Sequence, residues 1–286
     1  MALYKPSELH QFLNEMGIKP KKGLSQNFLI DGNILKKMVE AADLNEGDII
    51  VEIGSGPGVL TEALLAKGVT VIAIEKDEKL AKHLERFQNG KLQIIVDDFR
   101  NIRFKRLLKG EEKVKVIANI PYNLTGIILQ ELLPKRDFIQ SIHLMVQKEV
   151  AERCTAAVKT KDYSSFTLFT NYHSEAKYLF TVPKTCFYPK PKVDSAILEL
   201  KLKKPPVNAP YDSLFEMIRT AFQMRRKMLR SSLKGIAPPV IIEAALEKMG
   251  LPKSSRPQEL TLADFSTLFH ILNSKETQET QPHTDG

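Results

Sequence analysis

From Asp48 onward, short runs of β-branched and apolar residues alternate with stretches whose apolar positions recur at helical spacing. That alternation predicts a parallel sheet covered by helices. The runs Ile49 to Ile53, Val69 to Glu75, Leu92 to Val96, Val114 to Asn119 and Ser141 to Gln147 read as strands. Leu60 to Lys67, Glu78 to Phe87, Thr125 to Leu133 and a segment from Lys148 read as the helices between them. The pattern as a whole is that of a doubly wound α/β domain.

The punctuation changes after Phe187. In Tyr188-Pro189-Lys190-Pro191-Lys192 each proline pushes its predecessor out of the helical region, so the backbone is expected to run extended. Alternation resumes in Asp194 to Leu202 as a late strand, and Lys203 to Pro210, with its three prolines, marks a domain boundary. Beyond it the periodicity is helical over Asp212 to Leu233, Pro239 to Met249 and Leu262 to Leu272. The expected organisation is an α/β domain over residues 1–205, a small C-terminal α-helical domain over 206–274 and a disordered polar tail over 275–286.

Composition narrows the setting. The 286 residues suffice for one large domain with a satellite, and 42 basic against 34 acidic residues give a net charge of +8. Such a charge favours a polyanionic partner without choosing between RNA, DNA and an acidic membrane surface. Cys154 and Cys186 have neither metal-site spacing nor the numbers of a disulfide framework, which suits a reducing compartment and a protein without a metal. Lys5, Glu8 and His10 interrupt the N-terminal apolar residues, and no apolar run approaches the roughly 20 residues that span a bilayer. The expectation is a soluble, cytoplasmic, monomeric protein.

The first predicted strand runs through Glu52-Ile53-Gly54-Ser55-Gly56-Pro57-Gly58 directly into a helix. Glycines at that junction let the backbone turn tightly and approach a nucleotide-like ligand. The spacing Gly-x-Gly-x-Gly differs from the dinucleotide fingerprint Gly-x-Gly-x-x-Gly, which argues against a nicotinamide oxidoreductase. Alone, the loop could be an ordinary tight turn. The next two strands also end in acids, Glu75 and the pair Asp97-Asp98, and strand ends of a parallel sheet line one crevice. Glu75 suits ribose hydroxyls; Asp98 could accept a hydrogen bond from an adenine amino group, with Phe99 packing beside it or offering its backbone N–H.

A fourth strand ends in Asn119-Ile120-Pro121-Tyr122. A side-chain amide, a carbonyl ahead of a rigid proline and a flat phenol can grip an amino-purine by its edge and its face. The competing reading is a structural turn with core aromatics.

Taken together, Gln26 to Asp31, Glu52 to Thr61, Glu75-Lys76-Asp77, Asp97-Asp98, Asn119 to Tyr122 and Phe187 to Ser195 resemble the Rossmann-like class I methyltransferases that use S-adenosyl-L-methionine. Within these the chain resembles the ribosomal RNA adenine N6-dimethyltransferase family of the small-subunit type. Ser55 departs from the proline often found there, with Gly54, Gly56 and Gly58 intact. The resemblance implies that Asn27 and Leu29 close over the methionine part of the cofactor, that Gly54 lies against its backbone, and that Glu75 and Asp98 take ribose and adenine. Gly56, Lys76, Phe99 and Asn119 belong to the same site. It also implies dimethylation of two adjacent adenosines near the 3′ end of small-subunit (16S) rRNA, in a partly assembled subunit. Asn119 and the Ile120 carbonyl would hold the amine beyond Pro121, Tyr122 would stack on the base, and Phe187 would cover its other face. A large-subunit (23S) rRNA methyltransferase of the antibiotic-resistance type and a mainly non-catalytic assembly factor are the competing functions.

On a helical wheel of Asp212 to Lys234, the residues Ile218, Phe222, Leu229 and Leu233 form one stripe. Arg219, Arg226, Lys227, Arg230 and Lys234 cluster on an adjacent arc, as expected of a surface that tracks RNA phosphates. Arg225 falls among the apolar positions, and Lys19, Lys21 and Lys22 form a second basic cluster.

Overall fold

The structure is a computed structural model in which residues 3–18, 27–108 and 113–274 are described. The Lys19, Lys21 and Lys22 cluster and the tail over 275–286 lie outside the described residues. The chain divides into two compact units, one of residues 1–152 and 174–203, the other of residues 153–173 and 204–286. The expected single cut after residue 205 is therefore corrected, because residues 153–173 join the second unit. Their helix Ser165–His173, which had no predicted counterpart, buries Leu168 and Tyr172 against Leu214, Phe215 and Ile218 of the helix Tyr211–Gln223.

The strands in chain order are β1 (Phe28–Leu29), β2 (Ile49–Ile53), β3 (Thr70–Glu75), β4 (Leu92–Val96), β5 (Val114–Asn119), β6 (Ile139–Gln147), β7 (Ser174–Val182), β8 (Phe187–Tyr188) and β9 (Ser195–Leu202). Seven of them form one sheet in the order β4-β3-β2-β5-β6-β9-β7. The pairs from β4 through β6 are parallel, and β9 is antiparallel to both its neighbours. The strands predicted from alternation reappear within two residues of their expected ends. β7 was not predicted: in Ser-Glu-Ala-Lys-Tyr-Leu-Phe-Thr-Val one neighbour only, β9, covers an edge, and a register shift between Tyr178 and Phe180 blurs the alternation.

Two further helices, Pro6–Glu15 and Gly32–Ala41, precede the sheet. The second is started by Asp31, whose Oδ1 accepts the N–H groups of Asn33 at 2.9 Å and Ile34 at 3.1 Å. Between them β1 pairs antiparallel with β8, Phe28 opposite Tyr188 and Leu29 opposite Phe187. Two segments about 160 residues apart in sequence are thereby tied together by backbone hydrogen bonds.

The order reverses at β2: the chain builds β3 and β4 on one side of it, then returns to place β5 on the other. At that point the loops leaving β2 and β5 diverge and open a crevice beyond their carboxyl ends. The loop after β2 turns through left-handed glycines, Gly54 at φ 72°, Gly56 at φ 54° and Gly58 at φ 85°. At Gly58 a Cβ would come within 2.6 Å of Phe87 and 2.7 Å of Leu84, so only glycine fits both the backbone and the packing.

In the second unit the expected continuous helix over Asp212 to Leu233 is corrected. The helix ends at Gln223, Met224 leaves helical geometry (φ −118°, ψ 52°), and a separate turn of helix spans Leu229–Ser232. The break carries no glycine or proline and is made by tertiary bonds. Arg225 donates to the backbone carbonyls of Thr160 and Lys161, and the Leu229 N–H donates to the Ser255 carbonyl at 2.8 Å. Arg225, anomalous on a continuous wheel, is thus the residue that pins the break.

At the end of β2, Glu52 is 1% exposed and its Oε2 accepts the Thr61 hydroxyl at 2.6 Å. Burial pushes its carboxyl up to about 7 against the lowering effect of that bond. The folded protein therefore holds this proton more tightly than the unfolded chain, whose carboxyl titrates near 4.5, and unfolding releases it between those values. The expected outcome is a contribution that destabilises the fold increasingly as pH rises from about 4.5 to 7. Urea unfolding of wild type and Glu52→Gln across this window should give a flatter stability profile for the variant; parallel profiles would rule the shift out.

Candidate functional site

Every residue of the site lies in the first unit, at the edge of the sheet where the crevice opens. One cavity is lined by Asn27 and Leu29 from the β1 segment, Gly54 and Gly56 from the loop after β2, and Asn119 to Tyr122 from the loop after β5. A second cavity adjoins it, sharing Gly54, Glu75 and Pro121, and adds Lys76, Asp98, Phe99 and the apolar side chains of Ile53, Ile74 and Ile127. The cofactor residues expected from the sequence therefore all line one of these two spaces. At Gly54 the direction a Cβ would take is empty to 4 Å, so the backbone itself faces the ligand space.

Glu75 is 7% exposed and accepts two backbone N–H groups, Gly56 onto Oε2 at 2.8 Å and Asp77 onto Oε1 at 2.9 Å. It braces the glycine loop, and the lone pairs left on the two oxygens remain for hydroxyl donors. Burial raises its pKa, and the backbone bonds oppose that rise. Asp98 is more heavily engaged. Its Oδ1 accepts the Arg100 N–H at 3.0 Å and Nε at 2.9 Å; its Oδ2 accepts Arg100 Nη2 at 2.8 Å and Lys76 Nζ at 3.0 Å. The Arg100 bonds, above all, hold this carboxyl well below the usual carboxylate range, so it stays an acceptor. Any further donor to this carboxylate would have to replace one of the four, and Lys76, with a side chain 73% exposed, is the cheapest to release.

Asn119 ends β5, and its Nδ2 donates to the backbone carbonyl of Asn27 at 3.3 Å. With the nitrogen so assigned, Oδ1 is the acceptor of an amide whose residue lines the first cavity. Ile120 is 2% exposed and Pro121 holds φ at −57°, which fixes the carbonyl between them. Tyr122 opens a short 3₁₀ turn, and its hydroxyl shares a 2.6 Å hydrogen bond with Ser195 Oγ. Burial, above all, raises the Tyr122 pKa, so the phenol keeps its proton at neutral pH.

Phe187 departs from expectation. It is 2% exposed, packs into the apolar core of this unit with Leu29 and Val182, and lines neither cavity. The cause is the pairing of β8 with β1, which turns this side chain inward. Glu52 also borders the first cavity, and its only signal in the sequence is an acid inside a run of otherwise apolar strand residues.

Of the basic residues assigned to RNA, Arg219 lies exposed on the helix Tyr211–Gln223, whereas Arg226 and Lys227 lie exposed in the turn that follows. Arg230 pairs with Glu243, and Lys234 is exposed beyond the next helical turn. Because the helix is broken, these five do not form the single arc drawn on the wheel.

The cavities fit S-adenosyl-L-methionine: two carboxylates for its polar groups, an apolar slot for its ring and a glycine backbone open to close approach. The chain matches the family model described as ribosomal RNA adenine dimethylase over residues 17–274. It is 50% identical over 282 residues to ribosomal RNA small subunit methyltransferase A of Protochlamydia amoebophila, covering 96% of this chain and 99% of that protein. Two solved structures, each 26% identical over 86% of this chain, share the fold. One is a dimethyladenosine transferase from Plasmodium falciparum (TM-score 0.74, 97% of that chain) and the other the 23S rRNA methyltransferase ErmE (TM-score 0.68, 100% of that chain). The sheet is accordingly the Rossmann-like sheet of the class I methyltransferases. The chain belongs to the ribosomal RNA adenine dimethylase family and is an S-adenosylmethionine-dependent methyltransferase.

Proposed function

We propose that this enzyme dimethylates N6 of two adjacent adenosines near the 3′ end of small-subunit rRNA, acting as a cytoplasmic monomer on the immature subunit. The observation that carries the reading is the Asn119 amide, anchored through Nδ2 on the Asn27 carbonyl at 3.3 Å. Its oxygen is left to accept an N–H from an adenine amine beside the glycine loop. Among the competing functions, 50% identity over nearly the full length to a small-subunit methyltransferase, against 26% to the 23S rRNA methyltransferase ErmE, favours this one over the large-subunit type. The complete cofactor cradle speaks against a purely non-catalytic assembly factor.

S-adenosylmethionine, when bound, supplies a methyl group already activated by its sulfonium. Little acid–base power is then asked of the protein. In the first transfer Asn119 Oδ1 and the Ile120 carbonyl accept the two N–H groups of the amine and turn its lone pair toward the donor; the monomethylated amine, having lost one proton, keeps a single N–H for one of these acceptors in the second. Tyr122 offers a face on which the extruded base stacks, a contact worth about 1–3 kcal/mol. Catalysis on this account comes from positioning and preorganised dipoles. Burial of Phe187 leaves the stacking to Tyr122, and a second face requires movement of the β1–β8 pair.

RNA is held by phosphate contacts from the second unit, with Arg226 and Lys227 as the main pair and Arg219 and Lys234 flanking them in sequence. Arg230, engaged by Glu243, is a weaker candidate.

Asn119→Ala should lower the rate of methyl transfer to unmodified small subunits by about 10²-fold or more and leave S-adenosylmethionine affinity within a few-fold. Wild-type turnover by this variant would overturn the assignment. Replacing Arg226 and Lys227 together by Ala should reduce the slope of log affinity against log salt by about 1.4–1.8, the loss of two phosphate contacts. An unchanged slope would remove that turn from the interface.

A further inference from the structure

We propose that Ser195 is a positioning residue for methyl transfer: its hydroxyl holds the Tyr122 phenol and so fixes the position of the ring on which the target adenine stacks. This rests on the reading of Tyr122 given above. The geometry follows from the topology. Because β9 runs antiparallel to β6, its first residue, Ser195, sits at the sheet edge where the parallel strands end, opposite Gln147 of β6 and Val182 of β7. Asn119 ends β5, on the far side of β6 from Ser195. Tyr122, three residues on, reaches across the end of β6 to meet Ser195 at 2.6 Å.

The two partners differ in freedom. Tyr122 stands in a loop with its ring bordering the cavity, whereas Ser195 is 0% exposed and sits between two hydrogen-bonded neighbours in the sheet. The residue before it is also fixed. The Asp194 carbonyl accepts the Lys148 N–H at 3.0 Å, and its Oδ1 accepts the Lys184 N–H at 2.9 Å. A phenol tied to such a point loses its swing about χ1, which a free ring would have to give up when the base arrives. Burial keeps the phenol protonated, so its hydroxyl serves as a tether and takes no part as a base.

The test is a mutant cycle on unmodified small subunits, comparing wild type with Ser195→Ala, Tyr122→Phe, the double variant and Ser195→Thr. Each single variant and the double should lose the same factor in kcat, about fivefold for one such hydrogen bond, with KM for S-adenosylmethionine unchanged. Ser195→Thr should restore most of the rate. Losses that multiply to about 25-fold in the double variant would overturn the proposal, since the two hydroxyls would then act separately. So would wild-type kcat in either single variant, or a loss confined to KM for S-adenosylmethionine. If Ser195→Ala does not fold, Tyr122→Phe alone decides, because it too must lose the factor in kcat. Every rate is taken relative to wild type on whichever RNA wild type methylates, so an error in the proposed substrate shows in the wild-type measurement and leaves this comparison intact.

Discussion

The reversal of strand order between β2 and β5 is the constraint on which the site depends. On one side of it β2, β3 and β4 lie beside one another in chain order, and on the other β5 lies beside β6. At the reversal the two outgoing loops part, and the space between them is the one place where backbone from both can face a ligand. The glycine loop, with Gly54 open to that space, forms one wall, and Asn119 to Tyr122 form the other. The antiparallel insertion of β9 brings Ser195 to the same edge, and the β1–β8 pair brings Asn27 there from the N-terminal side.

The carboxylates around this crevice are managed in different ways. Glu52 sits under the loop with a carboxyl that keeps its proton to about 7. Glu75 is tied to backbone N–H groups, and Asp98 is matched by Arg100 and Lys76. Ionised acids crowded beside the glycine loop would repel one another; burying one so that it gives up its proton late, capping a second with amide dipoles and pairing the third with cations keeps them in place. The cations on Asp98 also hold it ionised, as a hydrogen-bond acceptor.

Much of this was legible in the sequence. Strands buried on both faces are written as β-branched runs, and their ends are marked by the glycines, Glu75, Asp98 and Asn119, so the fold and the residues that line the crevice could be read locally. What could not be read depends on distant partners. The Met224 break has no local breaker and arises from the carbonyls of Thr160 and Lys161, more than sixty residues away. Phe187 reads as an exposed stacking aromatic until β8 is seen to pair with β1. Residues 153–173 read as part of the first domain because chain order cannot reveal that Tyr172 packs against Phe215 and Tyr211.

The central claim, that this crevice delivers two methyl groups to N6 of adenines in small-subunit rRNA, is tested most directly by mass-spectrometric mapping. Purified protein and S-adenosylmethionine would be incubated separately with unmodified small subunits and with large-subunit RNA, and every methylated adenine located. The account predicts N6,N6-dimethyladenosine at two neighbouring positions near the 3′ end of the small-subunit rRNA. Methylation confined to the large-subunit RNA would contradict it.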